Sequence, residues 1–415
     1  MKKMLSVLLA SATALSVCCG LAACGGDSKK TLTVWAPDTA HECYKALAED
    51  FLAQPYQDGT YNDYFKVKFV AKPEGNIQTE LGTDAAAGAD LFFFESGQLG
   101  DMVTKNLLQP LPTYTAAIKD RDLEDVVKGA LINDVCYAFP TTLDNGWFMW
   151  YDSDYYDADE VLTLDSMLAK AKKDGKKIMF AYNDGWYISS FFQGAGCTMD
   201  FVYNEDGTRE YVTDIYTSEN GKNAARAIQH YLNPVTNGVE DKAVIIKPSS
   251  DMNSEIPAGM KENTIVAGFI GTWVAKDMPA KAVPTKCPTF TCGGEQVQMG
   301  SFYGSKYCGV NPRRNNKEVA AALADFLTNE KAQQKRFDMT GAGPTNKKIS
   351  ATEDVKNNKA LAAFAEQREK GGYAQLSQGS FWEPMKAFGD ECASGDITTE
   401  NLMTKLEDLA KAISK

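Results

Sequence analysis

The sequence predicts an α/β protein folded as two lobes, each a mostly parallel sheet flanked by helices. Three observations lead there. Strand and helix periodicities alternate from Thr31 to Phe94 in the order β-α-β-α-β, the pattern of a parallel sheet covered by helices. The chain after its leader runs to about 390 residues, more than one core usually supports. Aromatic residues gather behind turns that follow strands, where α/β sheets hold ligands beyond the carboxyl ends of their strands.

Thr31-Leu32-Thr33-Val34-Trp35 reads as the first strand, stopped by Ala36-Pro37-Asp38. A helix follows from His41 to Leu52, with Tyr44, Leu47, Ala48 and Phe51 at helical spacing. Phe65 to Val70 alternates as a half-buried strand does, Asn76 to Ala87 is a second helix, and Asp90 to Phe94 is an apolar run of strand length. Thr163 caps a helix that ends in lysines and Gly175, so the lysine cluster there belongs to a helix end. Ile178 to Ala181 and Ile265 to Ile270 read as strands. Asn204 to Thr208 has the composition of a hairpin turn. Asn316–Leu327, Leu361–Lys370 and Asn401–Ile413 are helical.

The first 23 residues carry a basic start, an apolar run and small residues, the order of a secretory signal peptide. Leu21-Ala22-Ala23-Cys24 has the form of a bacterial lipobox, in which Cys24 becomes a lipidated first residue. Residues 24–30 then form a tether, and two fatty chains suffice for stable anchoring. Loss of Lys2 and Lys3 takes the net charge from −12 to −14, which argues against nucleic acid and anionic lipid as partners. Beyond Cys18, Cys19 and Cys24, seven cysteines remain: 43, 136, 197, 287, 292, 308 and 392. Cys287 and Cys292 could close a short loop, or all seven could be buried thiols. An odd number cannot all pair within the chain.

No enzyme signature is present: no GxSxG, Walker A, GxGxxG or HExxH, and only His41 and His230 for a triad or a zinc site. The acidic stretch Asp152 to Asp159 lacks the glycine a calcium loop needs. The sequence therefore offers no catalytic, metal or cofactor site. What stands out is tryptophan beside turns: Trp147 and Trp150 after Asp144-Asn145-Gly146, Trp186-Tyr187 after Asn183-Asp184-Gly185, Trp273 after Gly271-Thr272, and Trp382 after Gln378-Gly379-Ser380. A flat ring stacks on the C–H face of a sugar, while carboxylates and amides take its hydroxyls.

The stretches "LTVWAPD" (32–38), "GADLFFFESGQLGDMVTKNLLQPL" (88–111), "YAFPTTLDNGWFMWYDSDYY" (137–156), "GWYISSFFQGAGCTMDF" (185–201), "GMKENTIVAGFIGTWV" (259–274), "NNKEVAAALADFLTNEKAQQKRFDMTGAGPTNK" (315–347) and "FWEPMKAF" (381–388) resemble the extracellular solute-binding proteins of bacterial ABC importers, within them the maltose/maltodextrin-binding group. The resemblance implies a two-lobed periplasmic-binding-protein fold with a ligand cleft between lobes and hinge closure on binding. It implies an N-terminal lobe of residues 31–141 and 305–345, and a C-terminal lobe of 142–304 and 346–415. It implies a monomer, anchored outside the cell membrane through Cys24, that hands an oligosaccharide to permease subunits. Trp273, Trp186 or Tyr187, and Trp382 match the family's aromatic platforms, with Gly268 and Gly271 expected to keep the strand end slim for Trp273. Asp38, Glu95, Ser96, Gln98 and Asp144 match positions that take sugar hydroxyls. Thr39 stands where the family often has lysine, "ESGQ" replaces an Asp-Arg pair, and Asp144 is a methylene shorter than the usual glutamate, which leaves the sugar open. Another glycan, a polyol or a polyamine in the same fold is one alternative. A surface glycoside hydrolase and a purely structural surface protein are others.

Overall fold

The computed structural model describes residues 29–203, 209–233, 243–375 and 379–414. The leader, Cys24 and the expected turn at 204–208 lie outside the described residues. Twelve strands matter to the site, in chain order: β1 (Lys30–Ala36), β2 (Phe65–Ala71), β3 (Leu91–Glu95), β4 (Phe139–Asp152), β5 (Lys177–Met179), β6 (Met199–Tyr203), β7 (Arg209–Thr213), β8 (Ile245–Ile246), β9 (Ile265–Gly271), β10 (Ala282–Thr285), β11 (Ser301–Val310) and β12 (Gly372–Ala374).

Ten of these share one sheet, in the order β8-β5-β9-β4-β11-β3-β1-β2, with β10 on β4 and β12 on β11. Its two ends are parallel: β1 pairs with β2 and β3 at one end, β5 with β8 and β9 at the other. Between them run two long antiparallel strands. β4 pairs with β11 over Phe139 to Gly146, then with β9 and β10 over Trp147 to Asp152. β11 pairs with β3 over Lys306 to Val310 and with β12 over Ser301 to Tyr303. Its register against β4 shifts on both sides of Lys306, the local irregularity expected where a strand bends. β4 and β11 therefore each run through both halves of the one sheet, changing partners between their first stretch and their second.

Each end has its own core. Leu32, Val34, Leu47, Phe93, Val310 and Leu323 pack in one. Ile178, Phe180, Ile228, Phe269, Phe388 and Leu406 pack in the other. Helix His41–Leu52 shows why the elements form where they do. Tyr44, Leu47, Ala48 and Phe51 recur on one face and all are buried, each large side chain contributing about 1.5–3 kcal/mol. Tyr44 stacks on Phe93 of β3 at 4.3 Å. Helix Leu164–Asp174 is bounded as its sequence dictates: the Thr163 side chain accepts from the Ser166 N–H, and Gly175 ends it at φ 65°.

Three expectations need correction. Asp144-Asn145-Gly146 is no turn but the middle of a continuous 14-residue strand. Trp147 and Trp150, read as following a break, are strand residues buried at 0% and 4% exposure. The second helix is shorter than its pattern, spanning Ile77–Thr83 after a 3-10 turn. The cysteine question resolves: all seven described cysteines are free and buried. Burial pushes the thiols of Cys197 and Cys392 up to about 12, which leaves them protonated and inert at neutral pH. Asp152, from the acidic stretch, is buried in an ion pair with Lys281 at 2.8 Å. Among the described residues no cluster of His, Cys, Asp or Glu is placed to hold a metal. Among the same residues no helix is long and apolar enough to cross a membrane.

Candidate functional site

Two adjoining cavities lie where the sheet's two halves meet. The larger, about 900 Å³, is lined on the first lobe by the loop Glu95-Ser96-Gly97-Gln98 at the end of β3. Asp184, Trp186 and Trp382 line it on the second lobe, with Gln375 between. The smaller, about 300 Å³, takes Thr39, Glu74, Thr142, Asp144, Trp273 and Lys306 into its wall. Trp186 and Trp273 bridge the two, their rings stacked at 6.2 Å and 26°.

Trp273 sits on a 3-10 turn directly after β9 and is 39% exposed. Its indole N–H donates to Asn253 Oδ1 at 2.7 Å. Gly271 makes this possible. A Cβ there would stand 2.1 Å from the Trp273 ring and 2.5 Å from the Gly146 carbonyl. Gly268 serves something else: its missing Cβ admits Ile256 of the helix Met252–Lys261, at 2.7 Å. Only one of the two glycines is thus slim for the tryptophan's sake.

Trp186 and Tyr187 part company. Asp184 caps a one-turn helix, its carboxylate accepting from the Trp186 N–H at 2.8 Å. Trp186 then faces the cavity. Tyr187 turns inward, is 4% exposed, and stacks on Trp147 at 5.1 Å. Tyr187 is a core residue, because successive helical positions point about 100° apart. Trp382 opens the helix Trp382–Ser394 and rests edge-on against Phe381 and Phe302 at 5.1 and 5.9 Å.

The polar residues fare unevenly. The Asp38 side chain is 88% exposed, 3.6 Å from His41, and lines neither cavity, while its neighbour Thr39 lines the smaller one. Asp144 is buried, and its Oδ2 accepts from Thr272 Oγ1 at 3.0 Å and the Gly343 N–H at 2.8 Å. Gln98 lines the larger cavity, but its amide is already engaged with the Gln78 N–H and the Glu74 carbonyl. Ser96 Oγ accepts from the Ser305 N–H at 3.1 Å, fastening the loop to β11. Glu95, among the described residues, accepts a long hydrogen bond from Gln375 Nε2 at 3.5 Å.

Residues that the sequence did not single out complete the site. Lys306 of β11 pairs with Glu74 at 2.5 Å. Burial works against its charge, but Glu74, Asp144 and Glu95 hold its pKa above the ordinary lysine value. Burial likewise pushes the Glu95 and Asp184 carboxyls up, opposed for Glu95 by Lys306 and for Asp184 by the Trp186 N–H. Gln375 accepts from Asn145 Nδ2 at 3.3 Å while reaching Glu95, so it links the crossover strand to the first lobe. Glu74, Lys306 and Gln375 carry no motif; only pairing across the sheet brings them together. Asp184 did have a signal, as an Asx cap within "NDG".

The arrangement is a cleft with ring faces on one wall and hydrogen-bonding groups on the other. Comparison with known proteins agrees with this geometry. A galactooligosaccharide-binding protein of Bacillus subtilis is 25% identical over 309 residues, 73% of this chain and 71% of that protein. A structure solved with acarbose is 28% identical at a TM-score of 0.79, covering 93% of this chain and 99% of that one. The maltodextrin-binding protein of L. casei BL23, without ligand, shares the fold at 22% identity and a TM-score of 0.72, over 93% and 99% of the two chains. A family model described as bacterial extracellular solute-binding protein matches residues 46–363, and with it the chain belongs to that family of non-catalytic binding proteins.

Proposed function

We propose that the protein captures an oligosaccharide, of the malto-series or a near relative, in the cleft between its lobes and delivers it to an ABC importer. The observation that carries this reading is the pair Trp186 and Trp382 facing polar groups across about 900 Å³, with Trp273 stacked on Trp186 from the adjoining cavity. That is near the upper end of small-molecule sites, which run from roughly 300 to 1,000 Å³. Glu95 supplies a charge-assisted acceptor for hydroxyls from the larger cavity, and Asp144 a second carboxylate in the wall of the smaller one. In this reading the lobes divide at 141/142, 304/305 and 345/346, with β4 and β11 as the hinge, and Cys24 carries the lipid that holds the protein outside the cell membrane. The polyamine alternative loses ground because Lys306 already balances Glu74, Glu95 and Asp144. Its box of acids also lacks Asp38. The B. subtilis relative gives a galacto-oligosaccharide a specific place as second reading.

The test is calorimetric titration of the purified protein with malto-oligosaccharides, galacto-oligosaccharides, acarbose and spermidine. Saturable one-to-one binding within either sugar series is expected. Silence toward all the sugars with a response to spermidine would overturn the substrate class and leave the family standing.

A further inference from the structure

The aromatic wall does not stop at Trp382. Phe201, on β6, also lines the larger cavity and is half-buried there. It stands opposite Tyr211 of β7 in the hairpin register, so both rings lie on one face of the hairpin. The rings meet edge-on at 5.3 Å and 74°. Tyr211 in turn meets Phe381 at 6.1 Å, and Phe381 meets Trp382 at 5.1 Å. Val202, on the other face, is exposed at 49%. The hairpin thus presents one aromatic to the cleft and backs it with a continuous file of rings. Trp273 lies at the opposite end of the wall, in the smaller cavity, and does not share a cavity with Phe201.

We infer that Phe201 is a distal platform for an extended ligand, which makes the β6–β7 hairpin the determinant of how many pyranose units the cleft rewards. This rests on the oligosaccharide reading above and deepens it: the ligand is a linear chain of more than two units, its proximal rings on Trp186 and Trp382 and its far end over Phe201. A disaccharide seated on the tryptophans leaves Phe201 untouched. Each further unit that reaches the hairpin adds a ring face to stack on, and Tyr211 fixes the angle at which that face is offered.

The experiment titrates wild type, Phe201→Ala and Phe201→Leu with malto- and galacto-oligosaccharides of two to five units. Wild-type affinity should rise with length in at least one series. Both variants should keep disaccharide affinity and lose about five- to tenfold for the longest chain, the scale of one lost aromatic face. Leu retains apolar contact with Tyr211, so it decides the matter if the Ala variant folds poorly by circular dichroism. Equal loss at every length, or a length dependence that survives both substitutions, would overturn the role of Phe201 while leaving sugar capture intact. A wild type that binds neither series would instead remove the oligosaccharide reading, and this inference with it.

Discussion

The two walls of the cleft solve different problems. The first lobe's wall is polar and already hydrogen-bonded to itself: Gln98 to Gln78 and Glu74, Ser96 to Ser305, Glu74 to Lys306. The second lobe's wall sets the rings of Trp186, Trp382 and, in the adjoining cavity, Trp273 beside Asp184. A hydroxyl-rich ligand exchanges water hydrogen bonds for protein ones at little net gain, roughly 0.5–1.5 kcal/mol each. Apolar area over a ring is gained outright, at about 25 cal/mol per Å². The difference teaches a division of labour. On the oligosaccharide reading proposed above, the aromatic wall would supply affinity, and the polar wall, bonded to the crossover strands, would supply orientation and choice of sugar.

The largest expected effects separate two adjacent residues of the aromatic side. Trp186→Ala should weaken sugar binding by about 30-fold or more, the cost of losing a desolvated tryptophan anchor of roughly 2 kcal/mol or more. Tyr187→Ala should instead destabilise the fold by about 3–5 kcal/mol, because its buried ring supports Trp147 and leaves a cavity. Titration and denaturant midpoints on both variants check this. Equal losses of stability with equal losses of affinity would mean that the wall is an extension of the core, and the division of labour would fail.

A smaller, sharper effect belongs to the polar wall. Glu95 has a pKa raised above the ordinary glutamate value of 4.5, chiefly by burial. Ligand hydroxyls donate to its ionised form, so affinity should fall as pH drops from 7 through that raised value. Stability runs the other way. A carboxyl whose folded pKa exceeds its unfolded one contributes fully below about 4.5, and that contribution is lost as pH rises through the folded pKa. Glu95→Gln should flatten both curves, and lower neutral-pH affinity only about three- to tenfold, the scale of one ordinary hydrogen bond, because the amide keeps an acceptor oxygen while losing the charge. Titrations and denaturant midpoints between pH 4 and 7.5 measure both slopes. A pH dependence unchanged in Glu95→Gln would move the polar wall's acceptor elsewhere, with Asp184 the next carboxyl to test.

What could be read from the sequence follows from how local each signal is. Helix His41–Leu52 and the Thr163 cap with Gly175 were legible because periodicity and capping act within one turn. The tryptophans beside turns were legible as a class, but their facing was not. Trp186 and Tyr187 differ by one helical step, and which one meets the cleft depends on where the Asp184 cap starts the turn. Asn145-Gly146 has the chemistry of a turn, yet β11 on one stretch and β9 on the next hold it extended. Tertiary pairing overrides local preference there, and that override is what lets one strand serve both lobes. Lys306, Glu74 and Gln375 were invisible because their contacts cross 232 residues from Glu74 to Lys306 and 280 from Glu95 to Gln375, gaps that sheet topology closes and no local pattern announces.

The smallest effect tests the polar wall at its edge. Asp38 and Asp144 both looked like hydroxyl acceptors, yet they stand in opposite surroundings: one 88% exposed on the side chain, the other buried with two donors on Oδ2. Asp38→Asn should leave affinity within about twofold, since its side chain is 88% exposed and lines neither cavity. Asp144→Asn keeps an oxygen for Thr272 and Gly343 but surrenders the charge opposite Lys306, and should weaken binding more than Asp38→Asn does. The ratio of the two, read by the same titration, says whether acids matter to this cleft by being near it or by being held inside it. Equal small losses would leave the tryptophans to carry affinity and selection together, and the polar wall would then serve only as a hinge brace.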